Sequence, residues 1–159
     1  MIKNISQAYF LFKELLKERG GEVIRVVPEN YGRHRVVYAK MHYRGSSKIF
    51  KFYLVFQREW FRSFSKFYNF QSEACTLNMS ILQNCLASGV DRIVFINKHG
   101  VMLMISPQRF LEKAKENGWI RKTRKTGEEV AHIPITLMKK LEFRRRQSTL
   151  EKFFSGKPL

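Results

Sequence analysis

The feature that most constrains the fold is a run of four consecutive apolar residues, Ile93 to Ile96, in the segment DRIVFI. A strand with one face in water alternates apolar and polar side chains, and this run has no polar position. The run therefore predicts a strand covered on both faces. The segment VMLMI predicts another short buried strand after a turn at 97–100. A chain with such strands must place other elements on both sides of its sheet.

The sequence ahead of these strands predicts a helix, three strands and a second helix. The segment ISQAYFLFKELLKERGG has apolar residues at helical spacing and ends in a glycine pair that stops a helix. Three strand-like runs follow, EVIRVV, RHRVVYAKMHY and KIFKFYLVFQ. The third run alternates, and its aromatic face is Phe50, Phe52, Leu54 and Phe56. Helical spacing then returns from about Gln71 to Ser88, in Ala74, Leu77, Ile81, Leu82 and Cys85.

After residue 105 the sequence predicts a helix, a hairpin and a last helix. Ser106 followed by Pro107 is typical of a helix start, and Gly118 of its end. Residues 119–135 predict a hairpin around Gly127, in which Pro134 marks an edge or a strand end. A helix is expected from about residue 136 into the arginine cluster at 144–146. We therefore predict an α/β fold with a mixed central sheet flanked by helices, in a single domain over 1–143 with a basic tail over 144–159.

Cysteine content and hydropathy indicate the setting of the chain. Cys75 and Cys85 fall within the predicted 71–88 helix and are interpreted as buried small hydrophobes, not as a disulfide or a ligand pair. No apolar run reaches the roughly 18 residues that a membrane span needs, so no membrane partner is expected. The start MIKNISQAYF lacks the layout of a secretory signal. We expect a cytoplasmic, nucleoid-associated protein, or a nuclear one in a eukaryote.

Positive charge is the strongest signal in the composition. The chain has 30 lysines and arginines against 13 acidic residues, a net charge of +17. Two blocks, 31–70 and 119–159, hold most of the excess, and nearly neutral segments separate them. A soluble surface without a polyanionic partner usually mixes its signs, so the blocks predict nucleic-acid binding. Neither block predicts a basic amphipathic helix of the kind that binds anionic membranes.

The expected DNA contacts are basic side chains at strand ends, in turns and on the less apolar strand faces. Such groups neutralise phosphates and fix position without reading sequence. The hairpin residues among them also resemble the wing of winged-helix DNA-binding domains. The aromatic excess over 60–70 is left open between a second core layer, a homodimer surface and a platform for unpaired bases. The candidates are Arg33, Arg35, Lys40, Arg44, Lys48, Lys51, Arg121, Lys122, Arg124 and Lys125.

The predicted element order, helix, three strands, helix, strand, resembles the αβββαβ core of the restriction-endonuclease-like nucleases. The junction KELLKERGGEVIRV, with Arg25 on the strand, is similar to that of the archaeal Holliday junction resolvases, and the resemblance covers about residues 6–105. It implies an acid on the second strand and an acid-x-Lys pair on the third, which hold a divalent metal. The chain departs from this pattern, since its second strand has no carboxylate, its third ends in Gln57, Arg58 and Glu59, and Tyr9 stands where the family has a helix glutamate.

Two interpretations of this departure stay open. In the preferred one the scaffold lacks the usual metal site, so no catalytic residue and no cofactor is expected. In the alternative the protein is an active structure-specific DNA endonuclease, and Glu59 and Glu29 serve as divergent acids that hold Mg²⁺. The four histidines are widely spaced, and no glycine-rich phosphate loop or nucleophile elbow is present.

The tail carries the most specific motif in the chain. The stretch QSTLEKFF matches the pattern Gln-x-x-aliphatic-x-x-aromatic-aromatic at Gln147, Leu150, Phe153 and Phe154. It resembles the PIP box, with which archaeal and eukaryotic replication and repair proteins bind the sliding clamp PCNA. One helical turn would group the three apolar anchors on one side as a hydrophobic plug. The resemblance implies a PCNA partner, although the two phenylalanines could instead pack on the domain itself or against a dimer partner.

The preferred prediction is a DNA-binding protein of replication, repair or recombination that docks on PCNA. The endonuclease is the first alternative. A regulator that only occupies the clamp, with its charge serving RNA or no specific partner, is the second. A homodimer is left open in each.

Overall fold

The computed structural model describes residues 1–144, apart from the side chain of Tyr43. Helix α1 (Ile5–Glu18) is followed by strands β1 (Gly21–Glu29), β2 (His34–Tyr43) and β3 (Ser46–Phe56). Next come the short helix α2 (Phe64–Tyr68), β4 (Ala74–Asn78), α3 (Met79–Ala87), β5 (Arg92–Ile96) and β6 (Met102–Ile105). The described chain ends with α4 (Pro107–Asn117), β7 (Ile120–Lys122), β8 (Glu129–Pro134), a 3₁₀ turn (Ile135–Leu137) and β9 (Lys139–Leu141).

The strands form two sheets. The large sheet has the order β1-β2-β3-β5-β6-β9, and the small antiparallel sheet has the order β4-β8-β7. Strands β3 and β5 are parallel, and every other neighbouring pair in the large sheet is antiparallel, so the predicted mixed sheet is confirmed. A parallel pair needs a crossover connection, and residues 57–91 supply it with α2, β4 and α3.

The large sheet separates two hydrophobic cores. One side is covered by α1, whose Leu11, Phe12 and Leu15 pack with Phe52 and Leu54 of β3. The other side is covered by the small sheet and the helices that follow it, and this core contains Tyr53 and Val55 of the same strand. Strand β5 is buried on both faces as predicted, because its side chains alternate between the two cores.

Several local predictions are confirmed by the described contacts. Helix α1 has its expected apolar face, and the Asn4 side chain caps it by accepting from the Gln7 backbone N–H. Helix α4 begins after Ser106, whose Oγ accepts from the Arg109 N–H at 3.2 Å, and ends at Gly118 in the left-handed conformation (φ 69°). The 119–135 segment forms a hairpin, and Pro134 ends β8.

The single helix predicted over about 71–88 is wrong in its first half. Residues Ala74–Asn78 form strand β4, which pairs with β8, and the helix begins only at Met79. Ala74, Leu77 and Ile81 meet helical spacing by coincidence, because β4 is a buried strand with apolar side chains on both faces. Cys75 therefore lies on a strand and Cys85 on a helix. Both are buried free thiols, as expected, and burial raises the pKa of Cys85 to about 12.

The helix predicted from about residue 136 is also wrong within the described residues. One 3₁₀ turn is followed by β9, which pairs with the open edge of β6. Buried Leu141 and Phe143 alternate with exposed Lys140 and Glu142, and this period of two is typical of a strand. None of the helices in residues 1–144 combines the length and hydropathy needed to cross a membrane.

Candidate functional site

The basic residues of the first block do not form one surface. Arg33 and Arg35 lie where β2 begins, whereas Lys40, Arg44 and Lys48 lie near the turn between β2 and β3. Strand β2 has ten residues and is therefore about 30 Å long. The structure thus divides these cations between the two ends of β2.

The Arg33 end contains a partly buried hydrogen bond between two neutral groups. His34 Nδ1 lies 2.7 Å from the Tyr53 hydroxyl, and Arg35 Nη1 donates to the Gly32 carbonyl at 2.6 Å. Burial, with a smaller contribution from the Arg33 charge, lowers the pKa of His34 to about 4. Burial also raises the pKa of Tyr53, so His34 and Tyr53 are both uncharged at neutral pH. Arg33 is exposed here, whereas Arg35 is half-buried and engaged with the backbone.

The middle of β2 presents cations around an aromatic ring. The Tyr38 ring lies between the Arg25 guanidinium and the Lys51 ammonium, each 5.6 Å from the ring centroid. Lys51 Nζ also donates to the Ser88 carbonyl at 2.8 Å. Lys40 belongs to the same face of the sheet, since it pairs with Ile49 in the register that places Lys51 opposite Tyr38. We call Arg25, Tyr38, Lys40 and Lys51 the sheet-face patch.

Arg25 was not among the predicted DNA contacts, although its place on this face could have been inferred from the pairing of β1 with β2. Lys48 was predicted as a contact but projects from the opposite face, where its ammonium lies 4.8 Å from the Phe50 ring centroid. Two cations of the sheet-face patch, Lys40 and Lys51, were therefore predicted DNA contacts, and Arg25 was not.

The four cations of the hairpin differ in their exposure. Lys122, Arg124 and Lys125 are exposed at the tip, where the Thr123 N–H donates to the Glu128 carbonyl and the two threonine hydroxyls lie 2.5 Å apart. Arg121 is half-buried and points back to the body of the protein, where it contacts residues of the small sheet and of the 57–91 crossover. The exposed three form what we call the hairpin tip.

Arg121 is held by a buried histidine. Arg121 Nε donates to His132 Nε2 at 3.0 Å, and the His132 Nδ1 lies 2.7 Å from the Thr76 Oγ. An arginine Nε–H can only donate, so His132 Nε2 must accept and the ring proton must be on Nδ1. His132 therefore donates to Thr76. Burial, assisted by the Arg121 charge, lowers the pKa of His132 to about 4, so the ring is neutral at pH 7.

This proton arrangement limits the chemistry of the cluster. A histidine that donates to a threonine hydroxyl cannot at the same time accept its proton, so His132 does not activate Thr76 as a nucleophile. What the cluster does is fix the direction of a cation. The Arg121 guanidinium carbon lies 5.3 Å from the Phe61 ring centroid and 5.4 Å from that of Phe67.

Arg121 and His132 line an open pocket of about 580 Å³ at the end of β3. Gln57 builds its wall, because its Oε1 accepts from the Thr76 N–H at 3.0 Å and its Nε2 donates to the Glu59 carbonyl at 3.0 Å. We call this cavity the Arg121 pocket. Sequence reasoning missed it, since Gln57, Thr76 and His132 are brought together only by the pairing of β4 with β8.

The two acids that pointed to an endonuclease are placed apart. Glu29 lies at the end of β1, and β2 separates that strand from β3, a distance of about 10 Å between strand axes. Glu59 follows β3, and its carboxylate accepts from Lys98 Nζ at 2.6 Å, which lowers the pKa of Glu59. Residues 1–144 contain no group of three histidine, cysteine or acidic side chains that could hold a metal ion.

The aromatic segment over 60–70 is mainly a second core layer. Trp60 and Phe64 are buried, and Phe61, Tyr68 and Phe70 pack against the same core. Phe67 is the exception, with 63% of its surface exposed. Its ring stacks on Phe61 at a centroid distance of 6.1 Å beside the Arg121 pocket.

The predicted clamp-binding residues Gln147, Leu150, Phe153 and Phe154 lie outside the described residues. No protein-family model, curated protein or solved structure matches this chain. The functional argument therefore depends on the residues of the chain itself.

Proposed function

We propose that the chain is a DNA-binding protein of replication, repair or recombination that docks on the PCNA sliding clamp through its C-terminal tail. The observation that carries this proposal is the motif Gln147, Leu150, Phe153 and Phe154, in which every anchor position of a PIP box is filled. Aromatic anchors of this kind supply much of the binding energy at protein interfaces.

The end of the folded body supports a docking role for the tail. Strand β9 completes the large sheet at Leu141, and Phe143 is buried in the core under α1. The three apolar anchors Leu150, Phe153 and Phe154 follow this strand in the sequence, and a pocket on a partner would remove their apolar surface from water.

Unpaired cations on the body support DNA binding. Within residues 1–144, no member of the sheet-face patch or the hairpin tip forms a salt bridge. Cations that are not held in a salt bridge can neutralise phosphates and release counterions. The two surfaces can thus follow a nucleic-acid backbone without reading its sequence.

The scaffold itself is nuclease-like in the proposal. The large sheet and its covering helices follow the chain order of one helix, three strands, a helix and a further strand, which supports a restriction-endonuclease-like core with α2 and β4 inserted in the crossover. Strand β2 carries no carboxylate, and the Glu59 carboxylate is engaged by Lys98. Both observations favour a role in binding over the endonuclease alternative.

The test of the proposal is a pull-down on immobilised PCNA. The intact chain should be retained, and Phe153→Ala/Phe154→Ala should lose retention because both aromatic anchors are removed. The matched control is Thr149→Ala/Ser155→Ala, which changes two tail positions that are not anchors and should leave retention intact. Equal retention of the intact chain and the anchor variant would refute clamp docking.

A further inference from the structure

We propose that the Arg121 pocket and the neighbouring Phe67 ring together bind one unpaired nucleotide of a DNA strand, with its phosphate on Arg121 and its base against Phe67. This inference deepens the proposed DNA binding and depends on it. It names the kind of DNA that the body recognises, since a pocket for an unpaired base selects single-stranded or branched DNA over an intact duplex.

Arg121 has the properties of an anion-binding group. It is half-buried, and among residues 1–144 it forms no salt bridge with a carboxylate. Glu59 is the acid among the residues that line the pocket, and its carboxylate is already engaged by Lys98 at 2.6 Å. A partly desolvated cation without a counterion is costly, and a phosphate would supply that counterion.

The geometry also leaves the two Nη groups of Arg121 available to a ligand. Its Nε is used by His132, and neither Nη group has a hydrogen-bond partner among the described residues. Two Nη groups held in one plane suit a phosphate, which accepts paired hydrogen bonds from a guanidinium. His132 thus orients the guanidinium. Because the His132 ring is neutral, it does not repel the Arg121 charge.

Phe67 provides the surface for the base. Its ring is 63% exposed, although it stacks on Phe61 with an angle of 17° between the ring planes and the Arg121 guanidinium carbon lies 5.4 Å from its centroid. The base would lie on the ring surface that Arg121 leaves open. An exposed aromatic ring beside a fixed cation is the usual platform for a base and its phosphate in proteins that bind single strands. Bases inside a duplex are stacked on both faces, so only an unpaired or terminal base can lie on Phe67.

Neighbouring cations extend the proposed site along the DNA strand. The exposed Arg124 and Lys125 lie at the tip of the hairpin whose first strand, β7, carries Arg121. A phosphate next to the bound nucleotide on that side would therefore approach these cations. The proposed occupant is a continuous strand, and a free inorganic phosphate would use Arg121 without using Phe67.

The experiment measures binding of the full chain to fluorescent dT20 and to a 20-base-pair duplex by anisotropy. Phe67→Ala should weaken dT20 binding at least about fivefold, the expected loss of one stacked base, and change duplex binding less than twofold. Phe67→Trp should restore dT20 binding, because it keeps a ring in place. The matched control Phe10→Ala removes an exposed phenylalanine from α1, on the other side of the large sheet, and should change neither affinity.

A second pair of variants tests the phosphate contact. Arg121→Gln should weaken dT20 binding more than Arg124→Gln does, although both remove one positive charge. Thermal melts of each variant identify any loss that comes from unfolding, and Phe67→Ala, at an exposed position, keeps the test valid if Arg121→Gln does not fold.

The outcomes separate this inference from the proposed function. If the intact chain binds both DNAs and Phe67→Ala leaves dT20 binding unchanged, or weakens both DNAs equally, the nucleotide pocket is wrong and the proposed DNA binding stands. If the intact chain binds neither DNA, the proposed DNA binding fails, and the inference fails with it.

Discussion

At single residues of this protein, a buried contact determines the direction of a charged side chain. The identity of Arg121 as a cation was evident from the sequence, and its direction was not. Direction depends on His132, eleven residues further along the chain, and on Thr76, 56 residues before His132. A pattern of residue types cannot predict such a contact, because it requires knowing which strands pair.

The pKa of His132 leads to a prediction about stability and pH. An unfolded histidine titrates near 6.5, whereas burial holds the pKa of His132 at about 4 in the folded protein. Between these values the unfolded chain binds more protons, so folding stability is fully present above about pH 6.5 and is lost as pH falls towards 4. His132 should contribute a loss of roughly 1–2 kcal/mol between pH 7 and pH 5.

Urea unfolding at several pH values checks this effect. His34, whose pKa is lowered in the same way, should add a similar loss. The variant His34→Gln should therefore lose less stability than the intact chain between pH 7 and pH 5. A stability that is flat over this range in the intact chain would contradict the neutral state assigned to both rings.

At the scale of elements, the sequence predicted those with a clear period or a clear start signal. Helices α1 and α4 have capping residues at their first positions, and β5 has an uninterrupted apolar run. The errors at Ala74–Asn78 and Lys139–Leu141 share a cause, since both are short strands whose stability comes from a partner distant in sequence. Asn78, directly before Met79, was the local signal that a strand ends there and a helix begins.

The cap of α4 gives a prediction at this scale. Ser106 Oγ accepts from the Arg109 N–H, so Ser106→Ala leaves that donor without its partner and should lower the free energy of unfolding by about 1 kcal/mol. Urea unfolding measures the difference. Ser80→Ala, an exposed serine in the first turn of α3, is the control and should change stability by less than about 0.5 kcal/mol. Equal effects would show that the Ser106 cap contributes nothing.

The hairpin tip gives a second prediction for an element. Each phosphate neutralised on duplex DNA adds about 0.9 to the slope of log affinity against log salt concentration. Lys122→Gln/Arg124→Gln/Lys125→Gln should therefore reduce the magnitude of that slope by up to about 2.7, with no change in thermal stability because all three side chains are exposed. Titrations of a 20-base-pair duplex at several KCl concentrations measure it. An unchanged slope would remove the hairpin tip from the interface.

For the whole molecule, the sequence predicted a mixed α/β fold, and the structure adds a second sheet that closes one side of the first. That sheet could not be predicted, because β4 was hidden in an apparent helix and β8 in a hairpin that looked isolated. The basic blocks of the sequence are likewise redistributed in space. Arg33 and Lys40 belong to one block and lie towards opposite ends of β2, whereas Arg121 from the other block lies beside Gln57, at the end of β3.

The proposed division between body and tail makes a prediction for the complete protein. Fluorescent 20-base-pair duplex should be retained on immobilised PCNA when the intact chain is present, since the body holds the DNA while the tail holds the clamp. Phe153→Ala/Phe154→Ala should abolish this retention and leave the affinity for free DNA within about twofold, because no basic group is removed. Retention that persists with this variant would mean that the body itself contacts the clamp.

The pairing of β4 with β8 also has a consequence for how the chain acquires its structure. Thr76 and His132 are separated by 56 residues, so the small sheet cannot form until most of the chain has been synthesised. Until then the aromatic side chains of the crossover, Phe61 and Phe64 among them, lack the strand that covers them. Contacts of such long range slow folding, and apolar groups left uncovered meanwhile favour aggregation. The Arg121 pocket is thus completed late in synthesis. A chain whose synthesis stopped before β8 would have neither the pocket nor a closed core.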